Sequence, residues 1–308
     1  MGNKWRVPPP VRHRADMEIT ACVTDEDYEA WRQVRIAVLP YERCDSVAEL
    51  RTQDSPRRLM LLARLDGRVV GSGLADLSDS ASTGSVAPRV LPGHRRRGVG
   101  TALLDRLTEH VAGLGMPRIR ATVDDDGSLA FAHRLGYEDT DHEVEQTKTV
   151  GEAPALTGVP DGVEVVTEDD RPGLWAACYD TFGHQALADF ALSTPLEVSA
   201  ERWATSWLGD PMFLAVRDGD VIGCAGLVRD TDTPTRAENA LTAVRRDWRG
   251  RGLAVHLKLR TLAWAAENGV TEVYTWTQDG NAAMRTLNEK LGYTTTRSST
   301  MVARSLPS

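Results

Sequence analysis

The sequence predicts an α/β protein made of two tandem copies of one mixed sheet. Three observations predict it. One loop pattern occurs twice, as Val90-Leu91-Pro92-Gly93-His94-Arg95-Arg96-Arg97-Gly98-Val99-Gly100 and as Val244-Arg245-Arg246-Asp247-Trp248-Arg249-Gly250-Arg251-Gly252-Leu253-Ala254. Each copy reads Val, four residues, Arg-x-x-Gly-x-(Gly/Ala), then a helix. An Asp-Gly pair between apolar runs also occurs twice, at Asp66-Gly67 and Asp218-Gly219, a strong tight-turn signal. Strands and helices then alternate in the same order in both halves.

The elements follow in order. Glu18 to Val23 reads as a strand, and a helix capped by Asp25 carries Tyr28, Trp31, Val34 and Val38 on its apolar side. Ser46 to Arg51 is a short helical stretch. The hairpin runs Leu59 to Leu65, then Arg68 to Ala75, and a fourth strand covers Ser85 to Val90. The helix after the loop has Val99, Leu103, Leu104, Leu107 and Val111 on one side. Strand Arg118 to Val123, helix Gly127 to Leu135 and two closing strands to about Val150 complete the half. Residues 151–162 hold two Pro and three Gly among twelve and read as a linker. The second half repeats the order, with strands Val163 to Thr167, Met212 to Arg217, Asp220 to Leu227, Glu238 to Val244, Glu272 to Thr277 and Tyr293 to Ala303. Its loop helix carries Leu253, Leu257, Leu262 and Ala265. The expected organisation is a loose basic arm at 1–16, a domain at 17–150, the linker, and a domain at 163–308.

Composition bounds the function. At 308 residues, 41% hydrophobic and 26% charged, the chain has the make-up of a two-domain globular protein. No apolar run approaches the ~20 residues that span a bilayer, and the N-terminal arm lacks the apolar core of a secretory signal. No membrane role is expected. Cys22, Cys44, Cys178 and Cys224 have no metal-ligand spacing, so no metal is expected, and a reducing cytoplasm suits them. A net charge of −8 argues against nucleic acid as a partner. The Arg-rich loops are local exceptions, which fits a small anionic ligand.

The loop chemistry is specific. The first turn of a helix leaves backbone N–H groups unpaired, and the helix dipole adds positive charge there, so anions settle at that end. Gly98 and Gly100, or Gly252 and Ala254, clear the approach, and Arg95, Arg96 and Arg97, or Arg249 and Arg251, add fork-shaped donors. A Walker loop needs Gly-Lys-(Ser/Thr), which neither copy has. A dinucleotide fingerprint follows the first strand of its unit, whereas these loops follow the fourth. A pyrophosphate at each helix start is the expected ligand.

These motifs resemble the GNAT superfamily of acyl-CoA-dependent N-acetyltransferases. Its signature, (Arg/Gln)-x-x-Gly-x-(Gly/Ala) after strand four, matches both copies. Its late helix ending in Leu-Gly-(Phe/Tyr) matches Leu135-Gly136-Tyr137 and Leu291-Gly292-Tyr293. The likeness covers nearly the whole chain after Met17, and the tandem arrangement is similar to that of mycothiol synthase-like actinobacterial proteins. It implies two tandem domains, each a mixed, largely antiparallel twisted sheet flanked by helices. It also implies acetyl-CoA as cofactor and a small-molecule primary amine as acceptor, attacked directly in a ternary complex. The cofactor residues implied are Arg89, Val90, Arg95, Arg96, Arg97, Gly98, Val99, Gly100 and Thr101 in the first domain. In the second they are Leu241, Thr242, Ala243, Val244, Arg249, Gly250, Arg251, Gly252, Leu253, Ala254 and Asn281. A monomer whose two domains mimic a dimer fits this plan.

The chain departs from the family at the acid. Many members place Tyr four residues before the Gly of the late motif, where this chain has Ala132 and Asn288. Asp125 stands in the first half where Asn281 stands in the second. For the base, Glu238 and Thr242 share one strand face under period-two alternation, so Thr242 could hold a water through which Glu238 takes the proton. His184 and Asp189 are candidates to line the acceptor pocket, and His94 and His256 sit beside the loops. Thr83 to Val90 holds no carboxylate and includes Pro88, which lacks an N–H, so the second domain is the expected catalytic one. The alternative is a CoA- or acyl-CoA-binding protein with one or both domains non-catalytic.

Overall fold

The computed structural model describes residues 11–12, 17–79, 82–190 and 195–307. Most of the expected arm, 1–16, lies outside them; Val11–Arg12 (β1) pairs with β2, Met17–Ala21. The chain forms two compact units, residues 1–140 with 300–308, and residues 141–299. These are not the contiguous halves 17–150 and 163–308.

In unit 1, β2, β3 (Leu59–Leu65), β4 (Arg68–Leu77) and β5 (Thr83–Val90) run antiparallel in sequence order. Then β5 pairs parallel with β6 (Arg118–Val123). The hairpin turn puts Asp66 at φ 49° and Gly67 at φ 74°, the two left-handed residues of a primed turn. Alternation along β3 splits its side chains between two cores. Met60 and Leu62 meet Tyr28, Trp31 and Leu50 of α1 (Asp25–Val38) and α2 (Val47–Thr52). Leu61 and Ala63 meet Leu103 and Leu107 of α3 (Val99–Gly113) and Ala132 of α4 (Asp126–Arg134). The cap of α1 is Thr24 rather than Asp25, because Thr24 and Asp27 satisfy each other's backbone N–H groups.

Unit 2 follows the same plan. Antiparallel β8 (Glu164–Thr167), β9 (Met212–Arg217) and β10 (Asp220–Arg229) lead to β11 (Arg236–Asn239), which is parallel to β13 (Glu272–Gln278). On one face, α5 (Leu174–Ala177), α6 (His184–Phe190) and α7 (Ala200–Ser206) gather around the stacked rings of Trp175 and Trp203. On the other lie α8 (Leu253–Glu267) and α9 (Ala282–Lys290).

The last strand of each half differs from expectation. Instead of two closing strands before Val150 there is one, β7 (Glu138–Thr149). Its residues 143–149 complete the sheet of unit 2 beside β13. Residues 300–305 of β14 (Thr294–Ser305) complete unit 1 beside β6. Local pattern identifies a strand but carries no information on which edge it joins, so the boundaries moved.

Candidate functional site

Both loops are built alike. Each fourth strand ends in a short 3-10 turn, Pro92–His94 or Arg246–Trp248, and the signature arginine ties the turn back to the strand. Arg95 Nε donates to Val90 O at 3.3 Å, and Arg249 Nε to Val244 O at 3.0 Å. Gly98 (φ 84°) and Gly252 (φ 79°) then open α3 and α8 in the left-handed region. A Cβ on either glycine would meet no atom within 4 Å. Every other helix of nine residues or more among the described residues has a side-chain cap, from Thr24, Asp125 or Asn281; α3 and α8 have none. Their first N–H groups therefore face an open cradle, which fits a pyrophosphate. The copies differ at one backbone position. Arg96 adopts φ 64° where the second loop has Gly250 at φ 74°, a strain on the order of 1 kcal/mol.

The arginines are not equally available. Arg96 and Arg97 are exposed, as is Thr101. Arg251 folds back, donating to Asp247 O and covering the Trp248 ring at 4.6 Å. Asp189 on α6 accepts from Arg246 Nε at 3.0 Å and from Arg249 Nη2, and Gln185 accepts from Arg246 N at 2.9 Å. Asp189 is thus a loop contact rather than a free pocket group, and its carboxylate stands where it opposes a second anion. Asp189→Asn is expected to tighten CoA binding at unit 2 about threefold, the scale of exposed ion pairs. Calorimetry with CoA checks this; weaker binding in the variant would mean that Asp189 orders the arginines instead.

Beside each loop, two strands separate. Parallel pairing joins residues 83–85 to 118–120 and 236–238 to 272–274, and no farther, although β6 and β13 continue. The slot so formed suits an extended chain seeking backbone partners. Here the two units differ. In unit 1, β5 is continuous and pairs with β4 in constant register, Pro88 facing Gly73. In unit 2 the expected strand 238–244 is interrupted. Leu227 faces Asn239 but Cys224 faces Ala243, so one extra residue lies between β11 and β12 (Ala243–Val244). This is a β-bulge. Ala240 N still donates to Gly226 O, whereas the N–H groups of Leu241 and Thr242 find no acceptor among the described residues. Thr242 Oγ1 is buried and likewise unpartnered.

The bulge also overturns the shared face of Glu238 and Thr242. Ala240 and Leu241 both pack on the Trp175–Trp203 cluster, as does Ala243, while Val244 packs on Leu253 and Leu257. Alternation restarts one residue out of step, so Thr242 falls on the α8 face and Glu238 on the α5–α7 face. Glu238 instead meets the Tyr274 hydroxyl, which lies 3.4 Å from Glu238 Oε2 and 3.3 Å from Asp230 Oδ1.

Other expected groups have structural duties. Asp125 caps α4, accepting from Ser128 N at 2.9 Å, with Arg95 Nη1 at 3.8 Å. Burial opposes its charge, but the Ser128 bonds and Arg95 hold its carboxyl below the usual range. Asn281 caps α9 by accepting from Met284 N at 3.2 Å. His256 Nδ1 meets Thr157 O at 2.5 Å, and burial lowers its pKa. His184 lies 3.5 Å from Asp180, and His94 Nδ1 is buried without a partner. Ala132 and Asn288 are both buried, and Asn288 donates to Gln146 Oε1 at 2.9 Å. Tyr137 stacks beneath Arg304, and Tyr293 accepts from Asn239 Nδ2 at 3.1 Å.

Sequence reasoning missed the polar core of unit 2. Glu145 is fully buried, holding Arg236 at 2.9 Å and Thr296 at 3.0 Å. Lys258 is 1% exposed, donates to Asn239 Oδ1 at 3.2 Å and lies 4.9 Å over the Tyr293 ring. A signal existed: the same helical position in the first copy is Leu104, a core residue. Burial pushes the Lys258 amine down to about 7, whereas in an unfolded chain it titrates near ~10.4. Between these values the unfolded chain holds a proton that the folded chain lacks, so stability rises with pH across that window. Lys258→Met should therefore raise stability at pH 7 by an amount on the order of 4 kcal/mol. Melting curves should show the gap closing by pH 10; a gap independent of pH would sink the assignment.

A family model described as the acetyltransferase (GNAT) family matches residues 20–137 and 175–293. The mycothiol acetyltransferase of Geodermatophilus obscurus is 29% identical over 260 residues, covering 80% of this chain and 83% of that protein. That of Thermomonospora curvata is 30% identical, covering 82% and 86%. Among solved structures, a GCN5-related N-acetyltransferase from Sphaerobacter thermophilus aligns with a TM-score of 0.72 at 21% identity, covering 94% of this chain and 95% of that one. A tandem GNAT protein from the clavulanic acid biosynthesis pathway aligns at 0.71 and 24% identity, covering 95% and 100%. These two likenesses are of fold.

Proposed function

The chain belongs to the acetyltransferase (GNAT) family, as an acyltransferase with two tandem GNAT domains, and from that membership we propose that it moves an acetyl group from acetyl-CoA to a primary amine of a small molecule by direct attack. The observation that carries the reading is the pair of uncapped, glycine-opened helices α3 and α8, each beside a splayed strand pair. When bound, acetyl-CoA would supply a thioester whose carbonyl carbon accepts the amine nitrogen as its carbon–sulfur bond breaks, CoA leaving as a thiolate that takes a proton from water. The start of α8 and Arg249 hold its pyrophosphate. The freed N–H groups of Leu241 and Thr242 stabilise charge on the acyl oxygen. Glu238, beside Tyr274, takes the proton that a protonated amine must lose before it attacks. The mycothiol acetyltransferase name of the relatives supports a small-molecule acceptor.

Unit 1 carries the second reading, a CoA site without turnover. Its β5 is continuous and holds Pro88 but no carboxylate. Thiol release from acetyl-CoA with a panel of amines tests the proposal. Amine-dependent release is expected. CoA binding with no release above hydrolysis for any amine would leave the binding role alone.

A further inference from the structure

One cation in unit 1, Arg89, makes no ion pair among the described residues. Arg89 lies on β5 past the point where β5 leaves β6, with its guanidinium carbon 5.6 Å over the Trp31 ring. Its Nη1 is shielded from solvent and bonded to nothing, and the described residues offer it no ion pair. Glu42, the one carboxylate whose charge acts on Arg89 among the described residues, is itself paired with Arg35 at 2.5 Å. Ser72 faces Arg89 across the β4–β5 register, so both side chains stand on the α1 face. Ser72 is fully buried, and its Oγ has no partner either. Burial, with Arg35 adding like charge and Glu42 opposing both in part, pushes the Arg89 guanidinium down to about 9. A shielded cation beside an orphaned hydroxyl is costly unless an anion arrives.

We infer that Arg89, Ser72 and Trp31 form a carboxylate-binding site on the α1 face of unit 1. A planar guanidinium takes a carboxylate through two parallel bonds, the hydroxyl adds a third, and the Trp31 ring supports the guanidinium from its other face. The carboxylate is either the free end of an acyl chain carried on CoA or a separate small acid. Only the first source rests on the proposed CoA site of unit 1.

The test uses the full chain in a Gly252→Glu background, so that unit 1 supplies the remaining CoA loop. Calorimetry is run with succinyl-CoA, acetyl-CoA and free succinate. Succinyl-CoA is expected to bind at least tenfold tighter than acetyl-CoA, or free succinate to bind by itself. Arg89→Met should bring the succinyl-to-acetyl ratio to about one and remove succinate binding. Arg89→Lys should restore part of the effect, and Ser72→Ala should reduce it severalfold. Succinate binding that depends on Arg89, with no CoA ester bound, supports the carboxylate site and sinks the CoA reading of unit 1. Equal binding of both esters with no succinate binding overturns the inference, as does a preference that survives both Arg89→Met and Ser72→Ala.

Discussion

Gly252→Glu is expected to abolish acetyl transfer, with at least a hundredfold loss in kcat/KM. Gly252 opens α8 at φ 79°, and the space its side chain would enter is empty of protein. A glutamate there brings a carboxylate to the N-terminal dipole of α8, the position offered to the pyrophosphate. It also strains the backbone, by about 1 kcal/mol. Gly252→Ala shares the strain without the charge and separates the two effects. Gly98→Glu makes the same change in unit 1, where it should remove CoA-dependent stabilisation. That stabilisation is about 2.7 kcal/mol at a hundredfold excess of ligand over its dissociation constant. Steady-state thiol release with melting curves on both variants decides the division of labour. Activity retained by Gly252→Glu and lost by Gly98→Glu would move the chemistry to unit 1.

Glu238→Gln should lower kcat by about a hundredfold for basic amines, the ordinary scale of a general base. An alkylammonium with a pKa near ~10.4 is almost wholly protonated at neutral pH and needs an acceptor for its proton. An amine of low pKa is already neutral and does not. The deficit of the variant should therefore shrink as the acceptor becomes less basic. Glu238 lies on the same face as Ala240 and Leu241, at the edge of the Trp175–Trp203 cluster, and the Tyr274 hydroxyl orients its carboxylate. A uniform deficit across all amines would make Glu238 a binding group rather than a base.

Much of this was legible beforehand because it is local. The Asp-Gly turns, the apolar stripe of α3 and the Arg-x-x-Gly loops each depend on residues within a few positions of one another, and they stand where expected. Asn281 and Asp125 were noticed for their spacing, and both are helix caps, a duty that spacing cannot separate from ligand contact. The same limit applies to Asp189. Its sequence neighbourhood says nothing of Arg246 and Arg249, which reach it from a loop some sixty positions away.

By itself, the sequence determined the family, the duplicated α/β plan and the two Arg-x-x-Gly loops that open α3 and α8, since periodicity and turn chemistry are written in neighbouring residues. Tertiary structure alone decided three things. It sent residues 143–149 to unit 2 and 300–305 to unit 1, because a strand's pattern does not name its edge. It put a one-residue bulge in the second unit's fourth strand and none in the first, because a bulge is a mismatch between two strands and belongs to neither sequence. And it buried Lys258 and Glu145 and shielded Nη1 of the half-buried Arg89, whose surroundings come from elements distant in the chain and whose charge would by composition be expected to face water.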